Sequence, residues 1–267
     1  MKLWVAQHLN PRRYISTSFI TPVGRHGGEI CPFLTNQQGS ARVPPNFAEG
    51  RSRPFQPMED LFMSQGKFIV VSGGEGSGKT TLVHRLQTDF PGARYTREPG
   101  GTPYGEALRV PLLDRMYRPV PWAELFLFMS IRAQHVEEVI KPTLAAGRHV
   151  ICDRYMQDTL AYQWYTRLGQ RSPSQIMQLA EAAGFPQPDL WIYLDVDPEI
   201  GLRRRQQTGD MNRIDREKIE FHQHVREGFR DLFNYADYIH RGRLIDANQS
   251  PDDVYRAAHQ VIDLLLT

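Results

Sequence analysis

The run Gly73-Gly74-Glu75-Gly76-Ser77-Gly78-Lys79-Thr80, followed by Thr81, has the form G-x-x-x-x-G-K-[ST]. A glycine-rich backbone wraps an anion with consecutive N–H groups. A helix that opens directly after it turns its positive end on the same anion. The lysine reaches the outer phosphates of a triphosphate, and the threonine hydroxyl is placed to coordinate Mg2+. An apolar strand-like run precedes the loop and a helical period follows it, which weighs against an idle glycine-rich turn. The loop therefore points to a user of nucleoside triphosphates. It does not say whether the acceptor is water, a protein or a small molecule.

Three more clusters carry charge where ligands of an open α/β sheet bind, beyond the carboxyl ends of the strands. They are Thr96-Arg97-Glu98-Pro99-Gly100-Gly101-Thr102, Asp153-Arg154-Tyr155, and Arg203-Arg204-Arg205 with Arg213-Ile214-Asp215. An acid at a strand end can hold a metal ion, and arginines bind phosphoryl oxygens with two parallel N–H groups. Each cluster also has a plainer reading. Arg97 and Glu98 make an exposed pair, Asp153 and Arg154 a salt-bridged strand end, and Arg203–Arg205 a solvated helix face.

The elements that must position these residues follow from periodicity. Strands are expected at Phe68–Ser72, Ala93–Arg97, His149–Cys152, Leu190–Val196 and near Tyr238–Asp246. Helices are expected at Lys79–Phe90, Tyr104–Leu113, Ala123–Ala146, Gln157–Arg167, Ser174–Ala183, Pro198–Gln206, Arg216–Tyr235 and Pro251–Leu266. Pro142 should disturb the third of these and Gly147 stop it. Such alternation gives an α/β fold: a P-loop three-layer α/β/α arrangement around a central, mainly parallel five-stranded sheet.

Upstream, residues 1–65 contain seven prolines and five glycines and no sustained periodicity. They carry seven Lys/Arg against four acids, net +3, which leaves the other 202 residues at 25 basic and 26 acidic, net −1. Such an arm buries too little apolar surface to offset its ordering entropy and is expected to be disordered. The domain division is thus 1–65 and 66–267. Three readings of the arm stay open: an organellar transit peptide, since no acid precedes Glu29; a leader upstream of a start at Met63; or a binding segment.

A formal net charge of +2 in 267 residues excludes a binder of nucleic acid that works by charge alone. No unbroken apolar run exceeds the five residues of Leu125–Met129, too short for a membrane span. Two cysteines, Cys31 and Cys152, make no disulfide framework. A reducing, cytoplasmic setting is expected, or an organelle if the arm is a transit peptide.

From Gly66 onward the chain resembles the thymidylate kinase family. The resemblance rests on Gly66–Thr81, Thr96–Thr102, Arg109 leading Leu112-Leu113-Asp114, and Arg132-Ala133-Gln134-His135 with Ile140-Lys141-Pro142. It continues through Asp153-Arg154-Tyr155 with Ala161-Tyr162-Gln163, and Pro188-Asp189-Leu190 leading Tyr193-Leu194-Asp195. It implies transfer of the ATP γ-phosphoryl group to dTMP with Mg2+, no nucleic-acid or membrane partner, and a homodimer. By carry-over, the donor binds along Gly73–Thr81, and Glu75 faces the deoxyribose 3′-hydroxyl. Arg109 and Arg154 grip the acceptor phosphate. Phe128 stacks on the base, with Arg132, Thr159, Tyr162 and Gln163 around it, and Thr80 and Asp153 serve the metal. Lys79 and two arginines of a mobile lid (203–213), Arg204 and Arg213, are the implied catalytic residues. The plainer readings are a core aromatic for Phe128 and a helix-surface charge for Arg132.

Three features depart from the family. Asp158 stands where serine is usual, Trp164 where glycine is usual, and Gln206, Gln207 and Thr208 thin out the lid's arginines. Asp158 is expected to pair with Arg132, which leaves thymine the preferred base; the competing view is that it faces the base and favours an amino-bearing one. The rival functions are a kinase for another nucleoside monophosphate, a weakly hydrolytic regulatory protein, and a nucleic-acid motor.

Overall fold

The computed structural model describes residues 65–209 and 211–266, so the N-terminal arm lies outside the described residues. Five strands form one parallel sheet: β1 (Phe68–Gly73), β2 (Arg94–Arg97), β3 (Val150–Asp153), β4 (Leu190–Asp195) and β5 (Gly242–Asp246). Their spatial order is β2-β3-β1-β4-β5. The chain leaves β1 toward one edge and later crosses to the other, so the direction of winding switches at β1. Ligands of open parallel sheets gather at that crevice.

Alternation along the strands sends side chains into two cores. Phe68, Val70, Val150, Cys152, Trp191 and Tyr193 face one, and Ile69, Val71, Ile151, Ile192 and Leu194 the other. Every residue of β1 and β4 is buried, as expected where helices cover both faces. Helices α1 (Lys79–Asp89) and α10 (Pro251–Leu266) supply the second core through Leu82, Leu86, Val254, Ala258 and Ile262. On the other face lie α3 (Pro121–His135) and α8 (Ile219–Leu232). The remaining helices are α2 (Pro103–Leu113), α4 (Lys141–Ala145), α5 (Met156–Thr159), α6 (Ser174–Ala182), α7 (Pro198–Gln207) and the short α9 (Ala236–Ile239).

Two expected helices are remodelled. The expected helix 123–146 comprises α3, a π turn at Val136–Ile140 and α4. Pro142 has no N–H and its ring crowds the carbonyl four residues back, so the ladder widens, with the Lys141 N–H bonding to the Val136 carbonyl. A second π turn, Leu160–Arg167, continues α5. The last strand is shorter than expected. It starts at Gly242, because Tyr238 is held in α9 with its buried ring edge-on to Trp191 at 5.6 Å.

Candidate active site

At the carboxyl end of β1 the chain enters the phosphate loop, and α1 opens from it. Gly76 has φ 68°, and a Cβ there would land on the Gly201 carbonyl oxygen. Gly201, in α7, in turn faces the Glu75 carbonyl, so α7 seats on the loop backbone to backbone. Only glycine fits this approach, which explains the loop's composition beyond its phosphate chemistry. The loop opens into a cleft of about 660 Å³ that extends past β3, α2, α3, α7 and the turn after β5.

Lys79 is buried, with Nζ donating to the carbonyls of Gly73 (2.8 Å) and Gly74 (2.9 Å). Burial lowers its pKa, and the neighbouring Arg154 adds to that; Glu75, Asp153 and Asp158 oppose it. Glu75 shows the opposite balance. Burial would raise its pKa, but Arg154, Lys79 and the Tyr162 hydroxyl outweigh burial and bring it down to about 2. Thr80 and Asp153 both line the cleft, and Asp153 Oδ1 is buried with no hydrogen-bond partner among the described residues.

Arg154 has φ 71°, an unusual backbone state for a residue with a side chain. Its guanidinium donates to Glu75 Oε1 (2.8 Å), Asp158 Oδ1 (2.6 Å) and the Gly73 carbonyl (3.2 Å). Burial alone would lower the Arg154 pKa, but Tyr162, Glu75 and Asp158 raise it well above the usual value, so it stays a cation. Asp158 therefore pairs with Arg154 and not with Arg132, contrary to the sequence expectation. Its other oxygen accepts from Ser72 Oγ (2.6 Å) and from the Tyr155 N–H (3.3 Å). Burial raises its pKa, against Arg154, Ser72 and Lys79. Asp158 also lines the cleft, with both oxygens engaged by protein donors.

Arg132 is 1% exposed, which rules out the plainer alternative of a helix-surface charge. It donates from Nε to Glu98 Oε2 (2.8 Å) and from Nη2 to Thr159 Oγ1 (2.9 Å), while Nη2 also lies 2.7 Å from Glu98 Oε2. His135 Nδ1 meets Glu98 Oε1 at 2.9 Å and its Nε2 meets Thr96 Oγ1 at 2.7 Å. Glu98 is thus an internal carboxylate, and the exposed partner of Arg97 is Glu106. Arg109 donates to the Pro99 carbonyl at 2.5 Å and lines the cleft.

The structure brings Glu75, Lys79, Thr80, Arg109, Phe128, Asp153, Arg154, Tyr162 and Gln163 to one cleft, with Arg204 at its rim. Arg132 and Thr159 stand behind its wall. Arg204 donates to the carbonyls of Ala247 (2.7 Å) and Asn248 (3.3 Å). Arg213 is not among the lining residues. It is tied to the Leu112 carbonyl (3.0 Å) and to Glu124 Oε2 (2.6 Å). Trp164 points away from the cleft, its Nε1 donating to the Ser172 carbonyl at 2.7 Å.

One acid, Glu124, escaped the sequence reading, and a second, Asp215, was named there without a role. Glu124, 1% exposed, accepts from Gln163 and Arg213 and so joins α3 to the π turn after α5 and to the segment after α7. Asp215 is buried and accepts from Arg205 Nε at 3.1 and 3.2 Å. A glutamate one turn into an apolar helix is a weak signal, but Asp215 follows Arg213 in a motif already singled out.

A family model described as thymidylate kinase matches residues 71–258. The thymidylate kinase of Protochlamydia amoebophila is 42% identical over 215 residues, covering 74% of this chain and 93% of its own. That of Carboxydothermus hydrogenoformans is 42% identical over 201 residues, covering 72% and 94%. That of a Synechococcus species is 46% identical over 194 residues, covering 70% and 90%. Among solved structures, a crystal structure of thymidylate kinase from Ehrlichia chaffeensis aligns with a TM-score of 0.57 at 30% identity, covering 74% of this chain and 99% of that one.

Proposed function

The chain belongs to the thymidylate kinase family, and from that premise we propose how its cleft works. The enzyme transfers the γ-phosphoryl group of ATP to dTMP, giving dTDP and ADP. The observation that carries the site assignment is the single cleft holding the phosphate loop together with Arg109, Arg154 and Phe128. We assign residues 66–267 as the kinase domain, with the preceding arm outside it.

Gly73–Thr81 cradles the donor phosphates with backbone N–H groups and the start of α1. Arg109 and Arg154 bind the acceptor phosphate. Phe128 stacks on the base, and Tyr162 and Gln163 border it, supported by Arg132 and Thr159. Glu75 faces the deoxyribose 3′-hydroxyl. The acceptor phosphate is itself the anionic nucleophile, so no side-chain base is assigned. Positioning, exclusion of water and positive charge on the transferring group supply the rate. Lys79 and Arg204 provide that charge from the present arrangement. Arg213, held off the cleft by Glu124, reaches it when the lid moves.

The unpartnered Asp153 oxygen, in the same cleft as Thr80, suits a hard cation, which takes oxygen ligands and keeps much of its shell for water and phosphate. Asp153 and Thr80 would hold Mg2+ there. When bound, the ion neutralises charge on the donor phosphates.

The enzyme works as a homodimer in this reading. Val110, Val120, Trp122 and Phe126 of the α2–α3 face are 49–66% exposed, and the Trp122 and Phe126 rings lie 5.8 Å apart. A second copy of the chain would cover this face. Light scattering should give a dimer mass, and Phe126→Glu a monomer. No helix among the described residues is long and apolar enough to cross a membrane. We assign a cytoplasmic enzyme of small-molecule substrates, without nucleic-acid or membrane partners.

A coupled ADP-release assay over a panel of nucleoside monophosphates tests the whole reading. dTMP should give the highest kcat/KM. ADP release that ignores added monophosphate would overturn the site assignment, and a preference for dCMP or dAMP would overturn the base assignment.

A further inference from the structure

We infer that Asp158 sets the affinity for the acceptor monophosphate by compensating the charge of Arg154. The inference rests on the reading of Arg154 as a ligand of the acceptor phosphate.

Three of the five guanidinium N–H groups of Arg154 are already spent on Asp158, Glu75 and the Gly73 carbonyl. Two of those acceptors are carboxylates in direct contact, at 2.6 and 2.8 Å. An arriving phosphate dianion therefore meets one cation flanked by two anions. Repulsion from those anions offsets much of the attraction, most strongly where protein displaces solvent.

The two carboxylates differ in place. Glu75 belongs to the phosphate loop and is also held by the Tyr162 hydroxyl at 3.0 Å. Asp158 lines the cleft beside Arg154, with its side chain 9% exposed, in the α5 turn. Ser72 Oγ and the Tyr155 N–H hold its second oxygen. Held at both oxygens, it cannot swing away when a phosphate arrives. It is a fixed negative charge one hydrogen bond from the acceptor-binding guanidinium, in the same cleft.

A merely structural role makes the opposite prediction. Arg154 occupies a strained backbone state at φ 71°, which surrounding contacts must hold in place. If Asp158 served chiefly to hold that geometry, its loss would let the guanidinium drift and acceptor binding would weaken. On the charge-compensation account its loss strengthens acceptor binding. The two accounts differ in sign.

The test compares the full-length wild type with Asp158→Asn and Asp158→Ser. KM for dTMP and for ATP are measured separately by coupled ADP release, and dTMP binding is measured directly by calorimetry. Asparagine keeps the size and an acceptor oxygen, so it carries the test if the serine variant fails to fold. In both variants the KM and Kd for dTMP should fall about tenfold, the order expected for removing one nearby charge at high effective dielectric. The KM for ATP should change much less, since Asp158 acts on Lys79 only at a distance and on Arg154 in direct contact. A dTMP KM and Kd that are unchanged or raised in the folded variants would overturn the inference. Arg154→Gln separates this failure from that of the underlying reading. If it leaves the dTMP KM unmoved, Arg154 is not an acceptor ligand, whatever the Asp158 variants do.

Discussion

Glu98 gives the sharpest test of how the base-side wall is built. Its carboxylate is 2% exposed, touches Arg132 at 2.7 and 2.8 Å through one oxygen, and meets His135 at 2.9 Å through the other. Glu98→Ala strands the Arg132 guanidinium, 1% exposed, with Thr159 and two methionine sulfurs as its remaining partners. Breaking a buried pair from one side costs about 3–5 kcal/mol, because the surviving charge is left unpaired. For a domain of this size each kcal/mol lowers Tm by about 2–4 °C, so the drop should be roughly 6–20 °C. Replacing both partners with apolar residues, Glu98→Leu with Arg132→Met, removes the stranded charge. It should cost less than the sum of the two single changes, with a coupling of about 0.5–3 kcal/mol. Urea unfolding of the wild type, both single variants and the double variant closes the cycle. A Glu98→Ala variant within about 1 kcal/mol of wild type, or a strictly additive double variant, would refute the account of Glu98 as the charge that holds Arg132.

Lys79→Ala should leave a folded protein with almost no phosphoryl transfer; near wild-type turnover would show that the donor phosphates bind elsewhere. Glu75 ionises at about 2 when folded against 4.5 in the open chain, so its contribution to stability is complete above pH 4.5. That contribution is lost as pH falls from 4.5 toward 2, and Glu75→Gln should flatten this part of the stability–pH curve; an unchanged slope would count against the Arg154–Glu75 pairing. A chain begun at Met63 should keep the activity and Tm of the whole, whereas a drop of many degrees would show that the arm packs on the kinase domain.

The parts of the site that reside in local chain were readable beforehand. A glycine-rich loop between an apolar strand and a helix has few other uses, and strand–helix alternation leaves little choice but a covered parallel sheet. Charge pairing across elements was not readable. Asp158 and Arg154 are four residues apart, yet the expected partner of Asp158 was Arg132. The contact with Arg154 depends on its left-handed backbone state, which spacing does not reveal. Sequence placed Arg132 by the base but could not show its partner: Glu98, 34 residues earlier, pairs with it in the interior. Arg213 was recognisable as a lid residue, but its tie to Glu124 spans 89 positions and appears only once α3 and the lid pack together. The π turns were half legible, since Pro142 announces a fault in its helix while Leu160–Arg167 carries no such marker.

The glycine-on-glycine seat of α7 has a mechanical consequence. A contact between side chains accommodates movement by changing rotamer, whereas bare backbone against bare backbone can only stay closed or part. Residues near Gly201 therefore act as a fulcrum, and the rest of α7 as a lever. At 1.5 Å per residue, Arg205 sits about 6 Å from that fulcrum and Thr208 about 10 Å. A tilt of about 10° would carry Arg205 roughly 1 Å and Thr208 nearly 2 Å, with displacement growing farther along the lid. The phosphate loop would feel almost none of that swing, so the cradle can keep its shape while the arginines beyond it are repositioned.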